Sequence, residues 1–177
     1  MKIYLDTEFM ENGETVKPLS IAMLAETGQS IYMVISDAPR EEANEFVQTM
    51  VLPYIDIPPF DIIEPIQNST YIASEGVQTY VRCPKQDAGT ILKNWVAKIT
   101  HQPEFWAWFA TYDWLIICQL YGHMTDIPRP WPMYVNDLRT NPNSILTPFE
   151  EPNLDIPPHH ALHDVHALKN RWEATHA

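Results

Sequence analysis

The 177-residue sequence has only two cysteines, Cys83 and Cys118, and this argues against the disulfide framework of small secreted proteins. No stretch approaches the roughly 18 consecutive apolar residues that a membrane-spanning helix needs, so we expect no membrane partner. Acidic side chains interrupt the N-terminal MKIYLDTEF, where a signal peptide would need a long apolar segment. The sequence therefore predicts a cytoplasmic protein.

Basic residues are also scarce, with 11 lysines and arginines against 23 aspartates and glutamates. Proteins that bind nucleic acids usually carry a surface rich in basic residues, so the net charge of −12 argues against a nucleic-acid partner. That argument weakens if some acids hold divalent cations, because each Mg²⁺ cancels two negative charges. For most of the acids, solubility is a sufficient explanation.

Hydrophobic residues make up 45% of the chain, which predicts a single globular domain over residues 1–177 with one sizeable core. Apolar patterns predict three antiparallel strands over 2–8, 17–26 and 30–36, and a short strand over 104–109. Helical patterns cover 39–55, 85–100, 112–122 and 159–174, with a possible strand-to-helix segment over 133–141. Several prolines between 53 and 75 predict irregular structure there. The order of elements indicates an α/β fold with helices packed on a mixed sheet.

The first predicted strand ends in two acids, Asp6 and Glu8. Side chains two residues apart on a strand point to the same face, so these carboxylates lie side by side. They repel each other unless a positive charge lies between them. The C-terminal end of a strand is also where α/β sheets usually bind ligands. The alternative is a solvated strand end that happens to be acidic.

Two more aspartates lie beside apolar helix stripes. Asp113 continues the inward stripe of the 112–122 helix, which favours a role in a site. The alternative is that the helix dipole simply stabilises an acid in the first turn of the helix. Asp164 borders the core stripe of the final helix. His159 precedes Asp164 by five residues, which is about 140° off-phase on a helix, so we expect His159 on the entry loop. His160 and Asp164 are spaced as a possible ligand pair, and His163 is expected on or beside a solvated face.

Four acids and a loop histidine form a coherent chemical set. Oxygen ligands suit two divalent cations, Mg²⁺ or Mn²⁺, better than zinc. Two such cations can clamp a phosphodiester, and a histidine can accept the proton of the attacking water. The His163-Asp164 pair is similar to a motif of the HD phosphohydrolases, but the further ligands of that family do not assemble here. The aromatic run FWAWF fits a core segment better than a base-stacking platform.

The segments LDTEF, WAWFATYDWLIICQLYG and HHALHDV resemble, in that order, the three motifs of the DEDDh branch of the DnaQ-like 3′–5′ exonucleases. Within that superfamily, the residues around the second and third motifs are most similar to those of the mycobacterial-type polyadenylate-specific exoribonucleases, also called ribonuclease AS. The resemblance implies a ribonuclease-H-like fold in which the first three strands are antiparallel and the later strands are parallel. It also implies a homodimer that trims RNA from a free 3′ end to nucleoside 5′-monophosphates.

Carried over residue by residue, the resemblance implies a general base at His159. The metal ligands would be Asp6, Glu8, Asp113 and Asp164. Thr7 and Phe9 would face the 3′-terminal nucleotide, through a backbone amide or a ring. Two alternatives stay open: a DNA 3′–5′ exonuclease or proofreading-type subunit, and a catalytically idle nucleic-acid-binding or interaction module on the same fold.

Overall fold

A seven-stranded sheet forms the centre of the computed structural model, which describes residues 1–61 and 70–177. In chain order the strands are β1 (Lys2–Glu11), β2 (Val16–Ala25), β3 (Ser30–Ile35), β4 (Tyr71–Glu75), β5 (Gln78–Cys83), β6 (Glu104–Ala107) and β7 (Asn136–Asp137). Across the sheet the order is β4-β5-β3-β2-β1-β6-β7. The strand that carries the first two acids therefore lies in the interior of the sheet.

Strand directions confirm the predicted mixed sheet. β1, β2 and β3 are antiparallel neighbours, while β5 is parallel to β3, β6 to β1, and β7 to β6. β4 departs from the expected parallel direction of the later strands, because it forms an antiparallel hairpin with β5. With helices packed on the sheet, this is an α/β architecture consistent with the ribonuclease-H-like fold.

In the part of the chain that the structure describes, five α-helices accompany the sheet: α1 (Glu45–Met50), α2 (Lys85–Ile99), α3 (Thr111–Gln119), α4 (Asn143–Leu146) and α5 (Ala161–Thr175). Side chains of β1 alternate between two buried layers. Ile3 and Leu5 pack with α2 and α3 on one side, and Tyr4 packs with α5 on the other. By the same alternation Asp6 and Glu8 face the α5 side.

Two sequence predictions are wrong in this part of the fold. The helix predicted over 39–55 is only α1, preceded by a 3₁₀ turn at Arg40–Glu42, because Asn44 caps a new helix by accepting from the Val47 N–H. The irregular segment predicted over 53–75 contains β4, and Gly76, with φ +56°, turns the chain into β5. The rest of that prediction falls partly on residues 62–69, which lie outside the described residues.

Cys83 and Cys118 are both free thiols. Over residues 1–61 and 70–177, every helix is too short or too polar to cross a lipid bilayer.

Candidate active site

The two acids of β1 lie beside an irregularity in the pairing of β1 with β2. β1 runs to Glu11, three residues beyond its predicted end, and the pairing shifts between Glu8 and Phe9. Glu8 lies opposite Ser20, whereas Phe9 lies opposite Pro18, so the extra residue of this bulge belongs to β2. Bulges are frequent beside active sites. This one lies next to the pair of carboxylates that both face α5.

Asp113 enters the site from the other side of the sheet. It lies in the first turn of α3, is only 5% exposed, and continues the buried stripe of Ile116 and Ile117 as predicted. The Thr7 hydroxyl donates to Asp113 Oδ1 at 2.6 Å. Burial raises the pKa of Asp113 to about 7, although hydrogen bonds from Thr7 lower it.

Asp164 is held by two histidines at the start of α5. The His159 N–H donates to Asp164 Oδ2 at 3.1 Å, and His163 Nδ1 lies 2.9 Å from Asp164 Oδ1. The expectation that His163 borders a solvated face is wrong, because it is only 6% exposed. It lines a groove whose other wall includes Glu151 and Pro158, so the preceding segment covers this face of α5.

His159 lies on the loop before α5, as its spacing from Asp164 predicts. Its backbone has φ +64°, and its ring meets Phe46 of α1 edge-on at 5.2 Å between centroids. His160 has another role: its Nδ1 accepts from the Leu162 N–H and its Nε2 lies 3.2 Å from the Ile57 carbonyl oxygen. His160 is therefore a buried helix cap, and both of its ring nitrogens are already engaged.

These acids form one electrostatic cluster. Burial raises the pKa of Glu8 to about 8, and the charges of Asp164 and Asp113 add to the rise. Burial, followed by Asp113, Asp164 and Glu8, also raises the pKa of Asp6 well above its ordinary value. The charges of Asp113 and Asp164 therefore make ionisation of both Asp6 and Glu8 more costly, which is the expected behaviour of ligands without their cation.

A divalent cation fits this donor set. Side-chain ligand atoms of Glu8, His159 and Asp164 all lie within 4.8 Å of one another. In the described part of the chain, none of the four carboxylates forms an ion pair with a lysine or arginine. Carboxylate oxygens at this density suit Mg²⁺ or Mn²⁺.

Thr7 and Phe9 point away from Asp6 and Glu8, to the α3 side of β1. The Thr7 hydroxyl donates its hydrogen bond to Asp113, so the Thr7 side chain positions that acid. The Phe9 ring stacks on Tyr112 at 5.2 Å between centroids, with 19° between the planes. Contact of either residue with a nucleotide stays a prediction, and for Thr7 it would run through the backbone.

Asp137, at the end of β7, is a positioning residue that sequence reasoning missed. Its carboxylate accepts from the backbone N–H groups of Phe109 and Ala110, both at 3.2 Å, and of Arg139 at 2.9 Å. It thereby holds the turn that leads from β6 into α3 and to Asp113. An acid inside the possible strand-to-helix segment over 133–141 was the available signal.

We expect Asp137→Ala to lower the free energy of unfolding by about 2 kcal/mol, because three backbone donors lose a charged acceptor. Urea denaturation followed by circular dichroism measures this difference. Asp155→Ala, which removes an exposed carboxylate, is the matched control. Equal stability of the two variants would show that Asp137 does not hold the turn.

Comparison with known proteins places this chain in a family. The chain is 31% identical over 139 residues to the 3′–5′ exoribonuclease of Mycobacterium tuberculosis, in both strain CDC 1551 and strain H37Rv. The matched region covers 78% of this chain and 72% of each relative. The chain belongs to the mycobacterial 3′–5′ exoribonuclease family. No protein-family model matches the sequence.

Membership of the exoribonuclease family agrees with the order of the site residues. Asp6 and Glu8, Asp113, and the His159–Asp164 pair follow one another in the order of the predicted motifs. Ligand atoms of Glu8, His159 and Asp164 lie together, and the charges of Asp113, Asp164 and Glu8 act on Asp6. The family resemblance read from the motifs is confirmed by a similarity that extends over most of the chain.

Proposed function

We propose that this protein is a metal-dependent 3′–5′ exoribonuclease that hydrolyses RNA from its 3′ end and releases nucleoside 5′-monophosphates. The observation that carries the proposal is the cluster of four carboxylates beside the exposed ring of His159, in which the pKa values of Asp6, Glu8 and Asp113 are raised. The family of the chain supports RNA as the substrate. Clustered carboxylates of this kind can hold divalent cations, and the cations can in turn bind the negatively charged phosphate of RNA.

The proposed ligands are Asp6, Glu8, Asp113 and Asp164. The two cations, Mg²⁺ or Mn²⁺, would lower the pKa of a bound water and neutralise charge on the phosphodiester and the departing oxygen. The protein contributes the fixed placement of these ligands. Thr7 fixes the carboxylate of Asp113, and the His159 N–H and the His163 ring fix that of Asp164.

His159 is the proposed general base. A water oxygen attacks phosphorus while the His159 ring accepts its proton. The bond from phosphorus to the 3′-oxygen breaks, and that oxygen leaves on the shortened RNA. The phosphate remains on the released nucleotide as its 5′-monophosphate. Phe46 restricts the orientation of the imidazole through its edge-on contact. The 3′-terminal nucleotide would lie beside Phe9.

The activity is tested with 5′-labelled oligo(A), mixed-sequence RNA and DNA of equal length, each incubated with Mg²⁺ or with EDTA. A metal-dependent ladder that shortens from the 3′ end of RNA is the expected result. A ladder on DNA alone would identify a DNA exonuclease. The absence of any ladder, also with Mn²⁺, would favour the catalytically idle binding module.

We expect metal to stabilise the protein more strongly as the pH rises from about 6.5 to 8.5. The pKa values of Glu8, about 8, and Asp113, about 7, are raised in the folded metal-free protein. The folded state keeps protons that the unfolded state has lost, so metal-free stability falls as pH rises through these values. Bound Mg²⁺ reverses that cost by favouring the ionised forms.

Melting temperatures in EDTA and in millimolar Mg²⁺, at equal ionic strength, measure this effect. Burial lowers the pKa values of His160 and His166, but their contribution to stability is common to both conditions and cancels in the difference. The gain with Mg²⁺ should be larger at pH 8.5 than at pH 6.5. A gain that is independent of pH would contradict a metal site built from these acids.

We also propose that residues 1–177 act as a single domain and that the protein is a cytoplasmic homodimer. The dimer rests on the family resemblance, and the two free thiols agree with a reducing compartment. Sedimentation equilibrium at several protein concentrations tests the association state. A monomeric mass at all concentrations would overturn the dimer and leave the proposed chemistry unaffected.

A further inference from the structure

A groove of about 460 Å³ runs from the catalytic acids along α5. One end is formed by Asp6, His159 and Asp164, which places it directly beside the proposed reaction centre. The groove continues to a distal wall of aromatic rings and a guanidinium group, formed by Trp108, Phe109, Phe149 and Arg171. This wall takes no part in the chemistry described above.

Two arginines stand over the rings of this wall. The Arg171 guanidinium lies 4.6 Å from the Trp108 ring centroid and 3.9 Å from that of Phe149. The Arg139 guanidinium lies 5.6 Å from the Trp108 ring and 5.4 Å from the Phe109 ring. Cation–π contacts of this kind hold a guanidinium in place while its N–H groups remain free to donate.

These arginines differ from Arg40 and Arg82, which both form ion pairs with Asp56. Within residues 1–61 and 70–177, neither Arg139 nor Arg171 forms a salt bridge, and Arg171 donates from Nη1 to the Ser144 carbonyl oxygen. The Glu151 carboxylate on the same groove acts on Arg171 only at longer range. Both guanidinium groups can therefore still pair with an anion, in a chain with a net charge of −12.

Phe109 presents an exposed ring at the same wall. Its side chain is 62% exposed, although its backbone has φ +58°, a conformation that is costly for a bulky residue. Asp137 holds that conformation by accepting from the Phe109 N–H. The protein thus maintains a strained turn that displays an aromatic face to solvent beside Arg139.

We propose that this groove binds the RNA strand on the 5′ side of the scissile phosphate. Arg139 and Arg171 contact backbone phosphates, and Phe109 stacks on an unpaired base. The proposal rests on the proposed function, which places the terminal nucleotide beside Phe9 on the opposite side of β1 and leaves the remaining strand to be bound. Phosphate-binding guanidinium groups interleaved with stacking rings are the chemistry by which proteins hold single-stranded RNA.

Binding of a fluorescein-labelled ten-nucleotide oligo(A) with Ca²⁺, followed by anisotropy and checked for intact RNA on a gel, tests the groove. Phe109→Asn removes the ring, and asparagine tolerates a positive φ. We expect it to weaken binding about tenfold. Arg139→Gln should lower the slope of log Kd against log salt by about 0.7, as expected for one lost phosphate contact.

Two control variants make the same chemical changes elsewhere. Lys93→Gln removes an exposed positive charge from α2, and Tyr134→Asn removes a ring that is 63% exposed. Both should bind the oligonucleotide like the wild type. Groove variants that bind as tightly as these controls would overturn the proposal, as would a wild type that does not bind the oligonucleotide.

Steady-state kinetics locate the strand. In Phe109→Asn and Arg139→Gln we expect KM for the ten-nucleotide RNA to rise about tenfold while competitive inhibition by adenosine 5′-monophosphate is unchanged. An equal loss of inhibition would place the terminal nucleotide in the groove and overturn the assignment. If the wild type binds RNA through these residues but does not hydrolyse it with Mg²⁺, the proposed function fails and the groove stands.

Discussion

Asp6→Asn is expected to lower kcat for RNA hydrolysis by about 10³-fold or more, because the proposed cations lose a charged ligand worth several kcal/mol in the transition state. Initial rates on 5′-labelled oligo(A) at saturating Mg²⁺ measure the loss. Asp155→Asn, an exposed position with the same chemical change, should retain full activity. Wild-type rates in Asp6→Asn would remove this carboxylate from the mechanism.

The same substitution should raise the melting temperature of the metal-free protein. Burial and the neighbouring acids raise the pKa of Asp6 well above its ordinary value, so ionising it destabilises the folded state. Stability tied to the protonated group is present at low pH and lost as pH rises. Asparagine is neutral at every pH, and its advantage in EDTA should therefore be larger at pH 8.5 than at pH 6.5.

His159→Asn is expected to reduce kcat by between about 10² and 10⁴, the range for loss of a general base. Asparagine is chosen because it tolerates the left-handed backbone at this position, where φ is +64°. His101→Asn, which changes an exposed histidine, is the matched control. A loss in both variants would point to a cause other than the base.

Metal titration distinguishes two possible roles of His159, as a general base or as a metal ligand. Its ring lies within 4.8 Å of ligand atoms of Glu8 and Asp164, so the position alone permits either role. If His159 is the base, the Mg²⁺ concentration that half-saturates the rise in melting temperature should be the same in His159→Asn and wild type. A clear increase in that concentration would make His159 a metal ligand.

The pH dependence gives an independent check. A histidine base must be neutral to accept a proton, so the wild-type rate should rise between about pH 5 and 8. The advantage of wild type over His159→Asn should shrink at the acid end, where the base is protonated. A constant ratio of the two rates across this range would contradict a histidine base.

The parts of the fold that sequence predicted are those with a local periodic signal. The antiparallel β1–β3 meander, α2, α3 and α5 all repeat apolar residues at strand or helix spacing. β5 was missed because its partner is β3, and this parallel pairing leaves no mark in the nearby sequence. β4 is short and follows a proline-rich segment, which obscured its hairpin with β5.

In the candidate site, too, the residues with a local sequence pattern could be predicted, and those placed by tertiary packing could not. Asp6, Glu8, Asp113 and Asp164 could be found because each borders a recognisable strand or helix pattern. Phe46 could not, since its contact with His159 depends on how α1 docks against a distant loop. The groove wall joins Trp108, Phe149 and Arg171, and no local pattern relates those positions. Local periodicity identifies acids near a core, whereas substrate contacts depend on tertiary packing.

The placement of the acids on both sides of the sheet has a consequence for how the protein becomes active. Asp6 and Asp164 come from opposite ends of the chain, and Asp113 arrives through the layer on the other side of β1. Contacts between residues so far apart in sequence form late and slowly in folding. A complete chain that has not yet folded therefore carries every proposed catalytic residue but has no assembled site. Hydrolysis should return on refolding only when α5 docks.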